Sequence, residues 1–171
     1  DISLSFGDRE LLKDVGFTLS ERSRAALAGA NGSGKSTLLK AIAGTIKPDS
    51  MTISLTRNAR VSYLPQSDIV LPDSTVYEAA EEGFSRFDAM LGEMRELEER
   101  TGRGGKEAMD AAQRLSECHD TLTQSGYYDR KQRIESILFG LGFSKDDLGR
   151  SARTFSGGYQ MRIALARILV E

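Results

Sequence analysis

Residues 1–21 alternate apolar and polar positions, with Ile2, Leu4 and Phe6 followed by Val15, Phe17 and Leu19. A period of two predicts two strands, joined by the polar turn near Gly7-Asp8-Arg9. The apolar run RAALAG, 24–29, ends in glycine, as a fully buried strand does. In STLLKAIAGTIKP, residues Leu38, Leu39, Ile42 and Ala43 recur at helical spacing, and Gly44 and Pro48 close the helix. MTISLTRNARVSYLPQ predicts a second alternating pair, Ile53/Leu55 and Val61/Tyr63, around Arg57-Asn58-Ala59-Arg60.

From about residue 74 the period changes to that of helices. Asp73 or Ser74 can cap a helix containing Val76, Ala79 and Ala80. Met90, Met94 and Leu97 continue the spacing through a charged stretch, TGRGG breaks it at 101–105, and Ala108, Ala111, Leu115 and Leu122 resume it. Two helices around a glycine-rich turn fold back as an αα-hairpin. DRKQRIESILFGLG predicts a further helix burying Ile134, Ile137, Leu138 and Leu141. The pattern divides the chain into a β/α body over 1–73, a helical subdomain over 74–150, and a closing loop and helix over 151–171. The class is α/β.

Composition narrows the partners. With 39% hydrophobic and 28% charged residues the chain is an ordinary globular one, and its net charge of −2 gives no global field for nucleic acid or anionic lipid. No apolar run approaches membrane-spanning length, so direct membrane insertion is not expected. A single cysteine, Cys118, cannot form an internal disulfide, which fits a reducing, cytoplasmic setting. The chain starts without methionine and stops inside an apolar helical pattern, so a piece of a longer protein is expected.

GANGSGKST, Gly29 to Thr37, fits the pattern G-x-x-x-x-G-K-[ST]. Triphosphate oxygens need several donors converging at short range. Glycines let the backbone approach without a Cβ, so Gly29, Gly32 and Gly34, with Asn31 and Ser33 between them, suit a nucleotide cradle. A helix starting near Lys35 aims unpaired N–H groups at the same oxygens. Lys35 supplies a cation between the outer phosphates, Ser36 a hydroxyl for Mg²⁺, and Thr37 a further donor. The cofactors expected are ATP and Mg²⁺.

The remaining features follow one order. Phe6 precedes the loop, Gln66 ends the stretch YLPQ, and FSGGYQ, 155–160, leads into QMRIALARIL. Taken alone, Phe6 reads equally as core, Gln66 as a surface residue, and Ser156-Gly157-Gly158 as a loop with a helix cap. Together they resemble the nucleotide-binding domain of ATP-binding-cassette (ABC) ATPases over essentially the whole chain. The resemblance implies a P-loop fold of ABC type, with an antiparallel β-subdomain and a helical subdomain. It implies that Phe6 lies against adenine, that Gln66 reaches Mg²⁺ and the attacking water, and that FSGGYQ stands where the family has LSGGQ. Phe155 then replaces the leucine and Tyr159 occupies the fifth place. It further implies head-to-tail pairing with a second ABC domain, so that Ser156, Gly157 and Gly158 close over the partner's ATP.

SGYYDRKQRIESILFGLGFSKDDLGRSARTFSGGYQ is similar to the first ABC domain of ABC-F proteins, soluble tandem-domain ATPases that act on the ribosome. A charged hairpin at 87–122 fits that branch. Glu93, Glu96, Glu98, Glu99 and Glu107 make it a poor surface for phosphate backbone, and only Arg100, Arg103 and Lys106 at its turn can meet RNA. The alternatives are the ATP-binding subunit of a membrane transporter and a truncated, non-hydrolysing binding module. Cys118 and His119 are adjacent on a helix and face apart, which suits structural roles, while Asp129, Asp146 and Asp147 suit surface or capping positions.

Phosphoryl transfer also needs a strand-end aspartate for Mg²⁺ and a residue that orients water. The resemblance places that aspartate and a neighbouring glutamate on a strand just after residue 171, which leaves the core of this chain incomplete. The chain itself is thus expected to bind ATP weakly without turning it over, and its parent to be an ATPase.

Overall fold

A computed structural model describes residues 2–171 apart from 7, 8, 58, 67, 68, 70, 72, 103 and 104. For residues 4–6, 9 and 10 it describes the backbone alone. The chain forms two compact units, Asp1–Tyr63 and Leu64–Glu171.

In the first unit, strand β1 (Ile2–Phe6) pairs antiparallel with β2 (Arg9–Val15), and β3 (Ser50–Met51) joins the other edge of β1 to give the order β2-β1-β3. Phe6 pairs with Arg9 at the far end of the ladder, and the turn expected near Gly7-Asp8-Arg9 falls on residues 7 and 8, outside the described ones. Between the pairs Ile2–Val15 and Leu4–Leu12 the register slips. There Asp14 takes φ 45°, and its N–H donates to Ser3 Oγ at 3.1 Å. A bulge of this kind accommodates one extra residue on β2. Helix α1 (Lys35–Ile42) supplies Leu38 and Ala41 to a small core with Ile2 and Leu12, flanked by Val15, Ile42 and Ile46.

Three expectations are corrected here. The second strand is Arg9–Val15, and Phe17 and Leu19 lie beyond it, exposed. Val15 already pairs with Ile2, so among the described residues β1 has nothing left to face residue 17. RAALAG forms no strand. A strand buried on both faces needs neighbours on both sides, whereas among the described residues nothing pairs with 24–29, and Leu27 is exposed. For the same reason Ile53, Leu55 and Val61 stand exposed in irregular backbone.

The second unit is helical. Helix α2 (Val76–Glu81) leads through a 3₁₀ turn (Glu82–Phe87) into α3 (Asp88–Thr101), followed by α4 (Lys106–Gln124), α5 (Arg130–Gly140) and α6 (Gly157–Val170). The N-cap of α2 is Thr75, not Asp73 or Ser74. Thr75 accepts from the Glu78 amide, and the Glu78 carboxylate accepts from the Thr75 amide at 2.8 Å. Only Thr75 has a glutamate three residues on, which makes this reciprocal capping box possible.

Helices α3 and α4 fold back as the expected hairpin. Met94, Leu97, Ala111 and Cys118 are buried along it, and Arg114 grips Glu93 through two hydrogen bonds of 2.7 and 3.2 Å. The core of the unit gathers Val76, Ala80, Leu122, Ile134, Leu138, Ile163, Ala166 and Val170, all at most 0% exposed. Ile137 and Leu141 of α5's pattern are only partly buried, because they sit at the edge of that cluster. Among the described residues no helix is long and apolar enough to cross a membrane.

Candidate nucleotide site and the second helix start

The Gly29–Thr37 loop ends on Gly34, the N-cap of α1, in the left-handed conformation (φ 89°). A side chain there would be strained whatever its surroundings. Its surroundings are also full, since a Cβ would lie 3.2 Å from both Leu11 and Leu12 of β2. Strand β2 is therefore the backstop that fixes where α1 begins. Leu38 N–H donates to Gly34 O at 2.8 Å, the first bond of the helical ladder. The amides of Lys35, Ser36 and Thr37 precede it and have no carbonyl a turn behind them. The first turn holds no acidic residue. It is a helix start suited to an anion.

Lys35 Nζ donates to the carbonyls of Gly29 at 2.8 Å and Ala30 at 2.7 Å, so the ammonium spans the start of its own loop. Ser33 N–H closes a turn on Ala30 O at 3.3 Å. Gly29, Asn31, Gly32, Ser33 and Ser36 are exposed, and Thr37 is half-buried. The loop thus brings amides, an ammonium and two hydroxyls together on accessible backbone. That donor set fits a phosphate chain and its Mg²⁺. The side chain of Phe6 lies outside the described residues. Gln66 is exposed in the second unit.

A second helix start stands at α6. Ser156 is its N-cap in extended backbone (φ −61°, ψ 157°), and Gln160 N–H donates to Ser156 O at 2.9 Å as the first ladder bond. The amides of Gly157, Gly158 and Tyr159 come before it. Ser156, Gly157 and Gly158 are exposed, and a Cβ on either glycine would meet nothing within 4 Å. Space around this turn is open. Its first turn also lacks acidic residues. Arg153 and Arg162 stand near it, and among the described residues neither has a carboxylate partner.

The sequence pattern of the ABC transporter family spans residues 12–171. The chain belongs to that family. It is an ABC ATP-binding domain, and its relatives include members of the ABC-F branch. It is 31% identical to the ABC transporter ATP-binding protein YfmM of Bacillus subtilis, over 100% of this chain and 33% of that protein. It is 31% identical to the tylosin resistance ATP-binding protein TlrC of Streptomyces fradiae, over 99% and 31%. It is 35% identical to ATP-binding cassette sub-family F member 3 of Mus musculus, over 99% and 23%. The chain thus spans a third or less of the length of these relatives.

Several residues that hold the two helix starts escape sequence reasoning. The alternating pattern singles out neither Leu11 nor Leu12, yet they bound Gly34. Gly142, Phe143, Gln160 and Arg162 hold the start of α6, and Phe155 and Tyr159 join Phe143 there as packed rings in addition to their places in the FSGGYQ stretch. Cys118 is buried in the hairpin, and His119 Nδ1 lies 2.6 Å from Tyr128 Oη. Asp147 caps a short 3₁₀ turn (Lys145–Asp147), accepting from Ser144 N–H at 2.9 Å and Oγ at 2.6 Å.

Proposed function

We propose that this ABC domain binds MgATP in the Gly29–Thr37 loop and supplies half of each of two composite nucleotide sites. The carrying observation is Gly34, left-handed and closed in by Leu11 and Leu12, at the N-cap of a helix whose first amides, those of Lys35, Ser36 and Thr37, lack helical carbonyl partners. In this reading Lys35 leaves the Gly29 and Ala30 carbonyls to sit between the outer phosphates. Gly29, Asn31, Gly32, Ser33 and Gly34 wrap the phosphate chain with backbone donors. Ser36 would hold Mg²⁺, which would supply charge neutralisation at the outer phosphates, and the family resemblance assigns Gln66 as a further metal ligand. Gln66 also orients water, and Phe6 stacks on adenine; both roles rest on the family resemblance.

Ser156, Gly157 and Gly158 close over ATP held by a second ABC domain, paired head-to-tail. Their exposure and the uncompensated Arg153 and Arg162 support this assignment, since cations near a helix N-terminus are favourable only with an anion present. The function divides along the chain into ATP binding over 1–73, a helical subdomain over 74–150 and the signature over 151–171.

The full-length gene product, in this proposal, is a cytoplasmic ABC-F-type ATPase that uses nucleotide-driven closure on the ribosome. The identities to sub-family F proteins across essentially the whole chain support that branch. Co-sedimentation of the full-length gene product with ribosomes tests it. ATP-dependent pelleting that Lys35→Ala abolishes is the expected result. Co-purification with an integral membrane partner, and no ribosome binding with or without ATP, would favour the transporter reading instead.

A further inference from the structure

The start of α6 presents a mechanical problem. Its first two helical residues are Gly157 and Gly158, both exposed and both without a side chain to pack. Glycine brings the largest backbone freedom of any residue, so nothing within the turn itself fixes where its amides point. The residues on either side do. Phe155 precedes the turn and Tyr159 follows it, with ring centroids 5.8 Å apart. Both rings contact Phe143, at 5.6 and 5.3 Å, in edge-on arrangements. Phe143 is 4% exposed and lies in the loop after α5, so the bracket is anchored to the core of the unit.

Arg162, one turn further along α6, completes the arrangement. Its guanidinium lies 4.8 Å from the centre of the Tyr159 ring, and Nη1 donates to Leu141 O at 2.9 Å. That approach needs a glycine beside it. A Cβ on Gly142 would come 3.0 Å from Arg162 Nη1, and Gly142 has φ 91°, where side chains are strained. On the other side of the turn Gln160 Nε2 donates to Phe155 O at 2.9 Å. The 141–143 loop is therefore tied to α6 by a ring and by an arginine, and both ties fall on the first turns after the glycines.

We propose that Arg162 and Tyr159 are positioning residues that set the pose of the Ser156–Gly158 amides for the nucleotide they close over. The inference rests on the signature role proposed above. Neither side chain touches the nucleotide; they act through the backbone of the turn. A planar guanidinium serves this role better than an ammonium, because it stacks on the ring and donates in its own plane at once. With the ties cut, ATP still docks on the Lys35 loop of either domain. The closed state that needs the second helix start then becomes harder to reach.

The test uses the full-length gene product, with steady-state ATP turnover, ATP affinity of the open state and thermal melting measured on each variant. Arg162→Ala and Tyr159→Ala are expected to lower kcat about tenfold, the scale of a modest misplacement of a contacting group. Open-state ATP affinity is expected to stay within about twofold, since the Lys35 loop is untouched. Tyr159→Phe keeps the ring and should restore wild-type kcat, while Arg162→Lys should fall between wild type and Arg162→Ala. Gly157→Asp in the same protein separates the two layers of the argument. If Gly157→Asp abolishes turnover while Arg162→Ala and Tyr159→Ala keep wild-type kcat, the positioning role is wrong and the signature role stands. If Gly157→Asp turns over ATP like wild type, the signature role fails and this inference with it. A fall in kcat that tracks lowered melting temperature and lost open-state binding would mark a purely structural role and overturn the proposal.

Discussion

Lys35 Nζ lies 2.7 Å from the carbonyl oxygen of Ala30, five residues earlier in the same loop. With its bond to Gly29 O, this contact holds the ammonium over the mouth of the cradle that α1 opens. A phosphate entering the loop must take the lysine from two neutral carbonyls and offer it a charged partner instead. That exchange is favourable, because the ammonium then faces an opposite charge instead of a carbonyl dipole, and Coulomb attraction adds to the hydrogen bond. Lys35 is then expected to matter for ligand and little for fold. In thermal melts without nucleotide, Lys35→Ala should lie close to wild type. A large loss of stability would mean that the lysine is chiefly a loop fastener.

Gly34→Ala tests the backstop. The left-handed conformation costs a non-glycine residue about 1–2 kcal/mol. Contact with Leu11 and Leu12 at 3.2 Å adds to that unless the leucines yield. Urea denaturation of Gly34→Ala should show a loss of at least about 1 kcal/mol, together with weakened ATP binding. The double variant Gly34→Ala/Leu11→Ala should recover part of the stability, since it frees one of the two contacts.

Gly83 makes a sharper case in the second unit. A Cβ there would fall 2.3 Å from Arg167 O and 2.5 Å from Val170 Cγ2, so the 3₁₀ turn reaches α6 only without a side chain. Gly83→Ala must push α6 away, with an expected loss of about 2–3 kcal/mol. Gly92 on α3 meets nothing within 4 Å. Gly92→Ala should instead stabilise the same unit by about 0.5–1 kcal/mol through helix propensity. Paired urea melts check the opposite signs.

Acid should weaken the second unit through three carboxylates. The Thr75 amide and hydroxyl hold Glu78 below the usual glutamate range, hydrogen bonding from Arg114 lowers Glu93, and the Ser144 hydroxyl and amide lower Asp147. A lowered folded-state pKa contributes stability that is present above the unfolded value and lost as pH falls through the folded one. Melting temperature should therefore be steady from neutrality to about pH 5 and fall below about pH 4. Thr75→Ala should raise the Glu78 titration, followed by carboxyl NMR shifts, only part of the way, because the backbone amide that lowers it most remains a donor.

Helices and loops proved readable from sequence to different degrees. Helix α1 (Lys35–Ile42) and the hairpin of α3 and α4 follow local spacing, capping and glycine breaks, so their own residues contain the necessary information. RAALAG and the 53–63 stretch do not behave that way. The pattern predicts a buried strand for the first and an alternating pair for the second, but a strand is defined by its neighbours, and among the described residues these have none. Gly34 could be marked as a phosphate-loop glycine from GANGSGKST alone. That Leu11 and Leu12 press on it could not, because the contact joins positions more than twenty residues apart. The same holds for Arg162 and Leu141 O, a side-chain bond to a backbone atom that leaves no residue-type signal.

The central claim is that the loop around Lys35 is a triphosphate site. Titration of MgATP into the 171-residue chain, followed by calorimetry for wild type and Lys35→Ala in parallel, addresses it most directly. The account predicts saturable one-to-one binding by wild type, weakened about tenfold or more by Lys35→Ala. Equal affinity in the two chains, or no binding by folded wild type at millimolar ATP, would contradict it.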